Sequence, residues 1–274
     1  MKKTYLFLLC VLFSSSSFAQ KIGILSAMPA ELTDIQKQIS KAKTKNGVTS
    51  GKIGKYSVVA MLSGIGKVNA ASATQRLISE YHVDKIVFTG VAGGINPNYN
   101  IGDVVLSLQS FQHDFGHLSK KFVMHAVSTI PEIGIGKAEE SPIIDLDHEW
   151  KAETIKIFRS KSKEFSTKFK PITMANKEMY QPKLVEAGII ATGDQFIAND
   201  VKKNELKTHG ADLVEMEGAA MAQVCVKNKT PCLIIRSISD KAGNEALVDY
   251  KSFFETVAQN NAQLVVYLLQ EHVF

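Results

Sequence analysis

The sequence predicts an α/β fold, and three observations carry that prediction. Short apolar runs alternate with segments of helical period almost to the end of the chain. The strand-to-helix junctions carry Gly, Ser, Asp or Glu, as expected where ligand-binding loops gather at the carboxyl ends of strands in α/β sheets. Neither a low-complexity linker nor a repeat at solenoid spacing interrupts the pattern. With 274 residues, 45% of them hydrophobic and 22% charged, the chain can bury a large core, which excludes disordered, collagenous and disulfide-scaffold classes.

The elements follow in order. Lys2 and Lys3, an apolar run over residues 5–13 and the small residues Ser17 and Ala19 at the −3 and −1 positions of a cleavage site read as a secretory signal peptide spanning residues 1–19. The apolar run is well short of the roughly 20 residues a membrane span requires. The mature chain is therefore expected to begin at Gln20, to be periplasmic or secreted and to have no membrane partner. Its formal charge falls from +5 to +3 when the two leader lysines go, which is no footprint for nucleic acid. Cys10 leaves with the leader. Cys225 and Cys232 fall on a helix and at the head of a strand, where their Cβ vectors need not face each other, so free thiols are expected. No Cys-x-x-Cys or histidine-rich spacing suggests a metal.

Residues 22–25 read as a buried strand, followed by a helix with Pro29 in its first turn and Leu32, Ile35 and Ile39 on one face. Residues 56–62 form the next clear strand, 66–81 a helix, and 85–89 and 104–108 two further strands. The segment 115–181 is harder to read and is treated as a divergent elaboration. It has turns at Pro131, Gly134, Gly136 and Pro142 and one helix containing Trp150, Ile157 and Phe158. Regularity resumes with strands at 188–191 and 212–216, a helix at 218–227 and a strong central strand at 232–237. An amphipathic helix closes the chain, with Phe253, Val257, Leu264 and Leu268 on its apolar face.

Several junctions carry chemistry. Ser63-Gly64-Ile65-Gly66-Lys67-Val68-Asn69 lacks the third glycine of a dinucleotide fingerprint and the Ser/Thr of a phosphate loop, so it is a tight turn or a loop for another ligand. Thr89-Gly90-Val91-Ala92-Gly93-Gly94, directly after a strand, lets the backbone approach a flat ligand, although a bare glycine turn fits equally well. Glu215-Met216-Glu217 sits where a strand hands over to a helix. The carboxylates either complement the helix dipole or grip sugar hydroxyls with the thioether packed on the sugar. Arg236-Ser237-Ile238-Ser239-Asp240 follows an apolar strand. Burial there would raise the pKa of Asp240 and make it a proton donor; the alternative is a turn aspartate. Glu31 by itself reads as a first-turn glutamate.

In order, these segments, together with Ile22-Gly23-Ile24, Ala27-Met28 and Thr192-Gly193-Asp194 with Phe196-Ile197, resemble the 5′-methylthioadenosine/S-adenosylhomocysteine nucleosidases of the nucleoside phosphorylase superfamily. The resemblance runs from Lys21 to the C-terminus and weakens in the middle. It implies a single-domain three-layer α/β/α fold with a central mixed, twisted sheet, a small-molecule purine nucleoside as ligand, no cofactor and a homodimer. It further implies that Glu31 deprotonates the attacking water and Asp240 protonates the departing base. Glu217 would hold the ribose hydroxyls, with Glu215 a further substrate contact, Met216 packed on the sugar and Arg236 orienting the acidic groups. Ala92, Gly93, Phe196 and Ile197 would surround the base, Ile65 the 5′ side, and Tyr250 stands where the family usually has phenylalanine. Pro29-Ala30 replaces an acidic pair and Val91 a serine, neither of them a proposed catalytic group. Phosphorylases of the superfamily resemble one another in an arginine two residues before the glycine of this turn. Here that position is Phe88, which favours water as the nucleophile.

Overall fold

The computed structural model describes residues 20–127, 141–146, 148–174 and 177–271; the expected leader and the turns at Pro131, Gly134 and Gly136 lie outside them. The elements in chain order are β1 (Lys21–Ser26), α1 (Pro29–Lys37), β2 (Ser40–Lys45), β3 (Val48–Ile53), β4 (Tyr56–Leu62), α2 (Lys67–Ser79), β5 (Lys85–Gly94) and β6 (Val104–Gln112). Next come β7 (Gly116–Leu118), β8 (Phe122–Met124), β9 (Ile144–Asp145), α3 (His148–Lys168), β10 (Ile172–Thr173), β11 (Met179–Tyr180) and β12 (Leu184–Thr192). The chain ends with α4 (Asp200–Thr208), β13 (Leu213–Glu215), α5 (Gly218–Lys227), β14 (Cys232–Asp240) and α6 (Ala246–Gln270).

The sheet runs β13-β12-β6-β14-β5-β1-β4-β3-β2 and is mixed: β4, β1, β5 and β14 are mutually parallel, whereas β14 and β6 pair antiparallel. On one face α2 packs against α5, and Ala73, Leu77, Met221 and Cys225 join Phe88 and Ile234 in one core. On the other face α1 packs against α6, and Leu32, Ile35, Leu264 and Leu268 meet Ile22, Ile24 and Ile235 in a second. This is the three-layer arrangement. It arises because the central strands are apolar on both faces and therefore need a helical layer on each. The helix expected around Ile157 and Phe158 is α3, which packs against β12 and fully buries Phe158 and Phe165 in the second core.

The structure departs from the sequence reading in three places. A hairpin, β2–β3, precedes β4 and turns on Asn46 and Gly47, both at positive φ (50° and 76°), the geometry that Asn-Gly favours. Helix α4, capped by the Asn199 side chain accepting from the Lys202 N–H at 2.8 Å, is almost wholly polar and so carries no apolar period in the sequence. The glycine-rich run after Thr89 is not a turn. β5 continues through Gly94 and pairs with β14 across a one-residue register shift between Ile238 and Asp240, so that Arg236 lies opposite Gly90 and Asp240 opposite Gly93. Beyond that point β13, already parallel to β12, pairs antiparallel with the end of β5 at Gly93 and Gly94. The sheet thus curls back on itself and brings the segment 215–217 beside Ala92 and Gly93.

Candidate active site

The strand ends converge on a cavity of about 360 Å³. Glu31, Ile65, Ala92, Gly93, Phe196, Glu215, Met216, Glu217, Asp240 and Tyr250 all line it. Arg236 does not line it, since it lies fully buried beneath, and Ile197 opens onto a small adjoining recess shared with Gly93, Phe196 and Asp240. Met28, Val214, Ser239 and Leu247 also reach the cavity; the sequence assigns them no role, because none carries a group that ionises in the carboxylate range and the segments holding Met28 and Ser239 are marked by their neighbours Glu31 and Asp240. A groove of about 390 Å³ between α1, α3 and α6 has lysines and glutamines among its lining residues. There Lys168 sits over the Tyr267 ring and Lys170 donates to Gln259, and among the described residues no buried carboxyl faces the groove.

Each charged group is placed by its own junction. Pro29 starts α1, and two residues on Glu31 turns back so that one oxygen accepts the Met28 N–H at 2.9 Å and the other the Val91 N–H at 3.0 Å. Glu31 is 2% exposed, so it is not a solvated first-turn glutamate. Burial raises its pKa against the opposing pull of Arg236 and the N–H groups.

Arg236 sits on β14 with its guanidinium 4.5 Å over the Phe88 ring, ion-paired with Glu215 and, at 3.5 Å, with Glu217. Burial disfavours its charge, but Glu215, Glu217 and Glu31 together raise its pKa. Gly90 makes room for this assembly. A Cβ there would fall 2.6 Å from Glu31 Oε1 and closer still to Arg236 Nη1.

Glu215 is fully engaged. It binds Arg236, accepts the Thr192 hydroxyl and takes the Gly218 N–H at 2.9 Å, so for this residue the helix-terminus reading holds. Among the described residues the Glu217 side chain has only the Gly66 N–H, at 2.9 Å, and the longer contact to Arg236, which leaves it acceptor capacity toward the cavity. Burial, reinforced by the neighbouring Glu215 charge, pushes its carboxyl up to about 8.

Asp240 accepts the Ala242 N–H at 2.8 Å and the Ser239 hydroxyl at 2.9 Å, and burial raises its pKa above the ordinary carboxylate range despite both bonds. It is therefore a turn aspartate and a buried acid at once. Phe196 meets Tyr250 edge to face at 5.6 Å between centroids, and Tyr250, stacked on Phe254, has its hydroxyl 3.5 Å from the Met28 sulfur. Burial and the nearby Glu31 and Asp240 push that phenol up to about 12. Cys225 and Cys232 are buried free thiols, but their side chains do face each other, and burial together with that contact raises the Cys225 pKa.

Three buried carboxyls with raised pKa, one of them with free acceptors, and an aromatic wall suit acid–base chemistry on a small, flat, hydroxylated ligand. Comparison with known proteins bears on which chemistry. A family profile described as the phosphorylase superfamily matches residues 21–270. The 5′-methylthioadenosine/S-adenosylhomocysteine nucleosidase of Colwellia psychrerythraea is 34% identical over 91% of this chain and 95% of its own length. Among solved structures, the Helicobacter pylori nucleosidase of the same description, with butyl-thio-DADMe-Immucillin-A, aligns at TM-score 0.73 and 31% identity, covering 93% of this chain and 99% of that one. The futalosine hydrolase of Helicobacter pylori aligns at TM-score 0.72 and 31% identity, covering 92% of this chain and 98% of that one. With the match extending over nearly the whole chain and identity above 30%, this protein belongs to the phosphorylase superfamily and, within it, to the 5′-methylthioadenosine/S-adenosylhomocysteine nucleosidase family.

Proposed function

We propose that the chain hydrolyses the N-ribosidic bond of a 5′-substituted adenosine, such as 5′-methylthioadenosine or S-adenosylhomocysteine, and releases adenine. The observation that carries this reading is that two buried carboxyls, Glu31 from α1 and Asp240 from the end of β14, enter one cavity with raised pKa values. Breaking the bond builds positive charge on the sugar and negative charge on the base. Glu31 takes a proton from water as its oxygen bonds to C1′; the C1′–N9 electron pair passes to the purine, and Asp240 delivers its proton to N7. Solvent returns one proton to Asp240 and removes one from Glu31. Glu217 accepts from the ribose 2′- and 3′-hydroxyls, and Met216 covers the sugar face.

Water, not phosphate, is the nucleophile. Phe88 is fully buried under Arg236, Arg236 is committed to carboxylates, and the negative Glu31 repels an anion. The test is product analysis with 5′-methylthioadenosine, S-adenosylhomocysteine, adenosine, inosine and futalosine, each with and without phosphate. Free base with unphosphorylated sugar, at a rate independent of phosphate, is expected; ribose 1-phosphate would overturn the hydrolytic assignment. The futalosine arm is included because of the structural similarity to futalosine hydrolase.

We also propose that the mature protein begins at Gln20 and is exported. An intact mass that retains residues 1–19, measured on protein from its native compartment, would refute this. A homodimer is proposed from the apolar residues Ile65 and Phe196 of the cavity, 51% and 47% exposed, and the nearby Val68 on α2, 80% exposed. Light scattering that gives a monomer mass at micromolar concentration would refute it.

A further inference from the structure

Helix α2 begins without a cap of its own. Its first residue follows Gly66, which offers no side chain, and its first turn holds no acidic residue. The cap comes instead from another part of the chain. Asp194, just past the end of β12, accepts the Lys67 N–H at 2.8 Å, and its Oδ1 lies 3.0 Å from where a Cβ on Gly66 would stand. Asp194 is tied down in turn: its own N–H donates to Asp114 at 2.8 Å, and Asp114 pairs with Lys67 Nζ at 2.5 Å. Lys67 Nζ also donates to Gln112 at 3.2 Å, and Gln112 donates to Gln223 on α5 at 2.9 Å.

This closed network bears on catalysis through one bond. Gly66, held at φ +97°, is the residue whose N–H donates to Glu217. We infer that Asp194 is a positioning residue: by capping α2 from outside the helix it holds the 64–67 turn so that the Gly66 N–H stays on the Glu217 carboxylate. The groups facing Glu217 are Glu215, Arg236 and Glu31, and those around Asp194 are Lys67, Asp114 and the buried His113.

An N–H donor favours the charged form of a carboxylate, so its loss should make Glu217 harder to ionise and weaken its grip on sugar hydroxyls. The inference rests on the assignment of Glu217 to the sugar only for its kinetic arm. Asp194→Ala and Asp194→Asn are compared with the wild type, all checked for native circular dichroism. Asparagine retains the Oδ1 acceptor for Lys67, whereas alanine does not.

The first readout needs no substrate. In ¹³C-glutamate-labelled protein, the carboxyl resonance assigned to Glu217 by its absence in Glu217→Gln should titrate about one pH unit higher in Asp194→Ala and within a few tenths of wild type in Asp194→Asn. The second is kinetic. Asp194→Ala should raise KM about tenfold with kcat within about threefold, Asp194→Asn should restore KM, and Asp194→Ala added to Glu217→Gln should have no further effect on KM. An unchanged Glu217 titration in Asp194→Ala overturns the inference whatever the enzyme acts on. A shifted titration without a KM effect upholds the positioning role and counts instead against Glu217 as the sugar ligand.

Discussion

Replacing Asp240 with asparagine isolates the proton that the leaving base requires. The substitution is nearly isosteric in its hydrogen bonding: Asn Oδ1 can keep the Ala242 N–H, now at 2.8 Å. Its Nδ2 can donate to the Ser239 oxygen once that hydroxyl turns toward the Ala92 carbonyl, 3.4 Å away. Folding and nucleoside binding should therefore survive, with KM within about threefold of wild type. What asparagine cannot do is deliver a proton, and general-acid catalysis of this kind contributes about 10²–10⁴-fold, or about 3–5 kcal/mol of barrier. Steady-state release of adenine should fall by that factor in kcat. A purine nucleoside already methylated at N7 leaves as a neutral base without needing the proton, so on such a substrate Asp240→Asn should lose less than about tenfold. An equal loss on both substrates would refute the assignment of Asp240 as the acid for the departing base.

The other predictions concern the remaining groups of the site. Glu31→Gln should lose about 10²–10⁴-fold in turnover on ordinary and N7-methylated substrates alike, because both need the attacking water deprotonated; selective rescue by the methylated substrate would count against that role. Gly90→Ala places a methyl group 2.6 Å from Glu31 Oε1. It should cost about 1–3 kcal/mol from overpacking, read as a lower Tm, together with most of the activity; a wild-type Tm and rate would show that the Glu31–Arg236 contact is not tight. Glu217 is raised from 4.5 to about 8 on folding, so the stability linked to its protonation is complete below pH 4.5 and is lost as pH rises through about 8. The Tm of wild type relative to Glu217→Gln should accordingly fall between pH 5 and pH 8.5 in thermal melts; a rise over that range would contradict the raised pKa.

How legible these features are in the sequence differs with the kind of interaction. The positions of β1, β4, α5 and the start of β14 follow from apolar period and local breakers, which are properties of a few neighbouring residues. Residues of the β2–β3 hairpin carry little apolar pattern, and its one local signal is Asn46-Gly47. The glycine run is the instructive case. Locally it has the composition of a turn, yet Gly90 and Gly93 are strand residues paired with β14, and they are glycine because the side chains of Arg236, Glu31 and Asp240 occupy the space that their own side chains would fill.

The same division applies to the site. The residue types and their order along the chain, from Glu31 through Glu217 to Asp240, are written in the sequence and identify the family. The role open to each carboxyl is not. Glu215 and Glu217 are two positions apart and chemically identical, yet one is saturated by Arg236, Thr192 and a helix terminus while the other keeps acceptors facing the cavity. That difference, like the raised pKa of Glu31 and Asp240, depends on which distant groups the curled sheet brings within about 3 Å and on how completely it excludes water. The sequence alone determined the α/β pattern and the inventory of reactive groups, because periodicity and motif are local. Only the tertiary structure decided which carboxyl is spent on structure and which is left for the ligand, because desolvation and hydrogen-bond partnership are set by residues far apart in the chain.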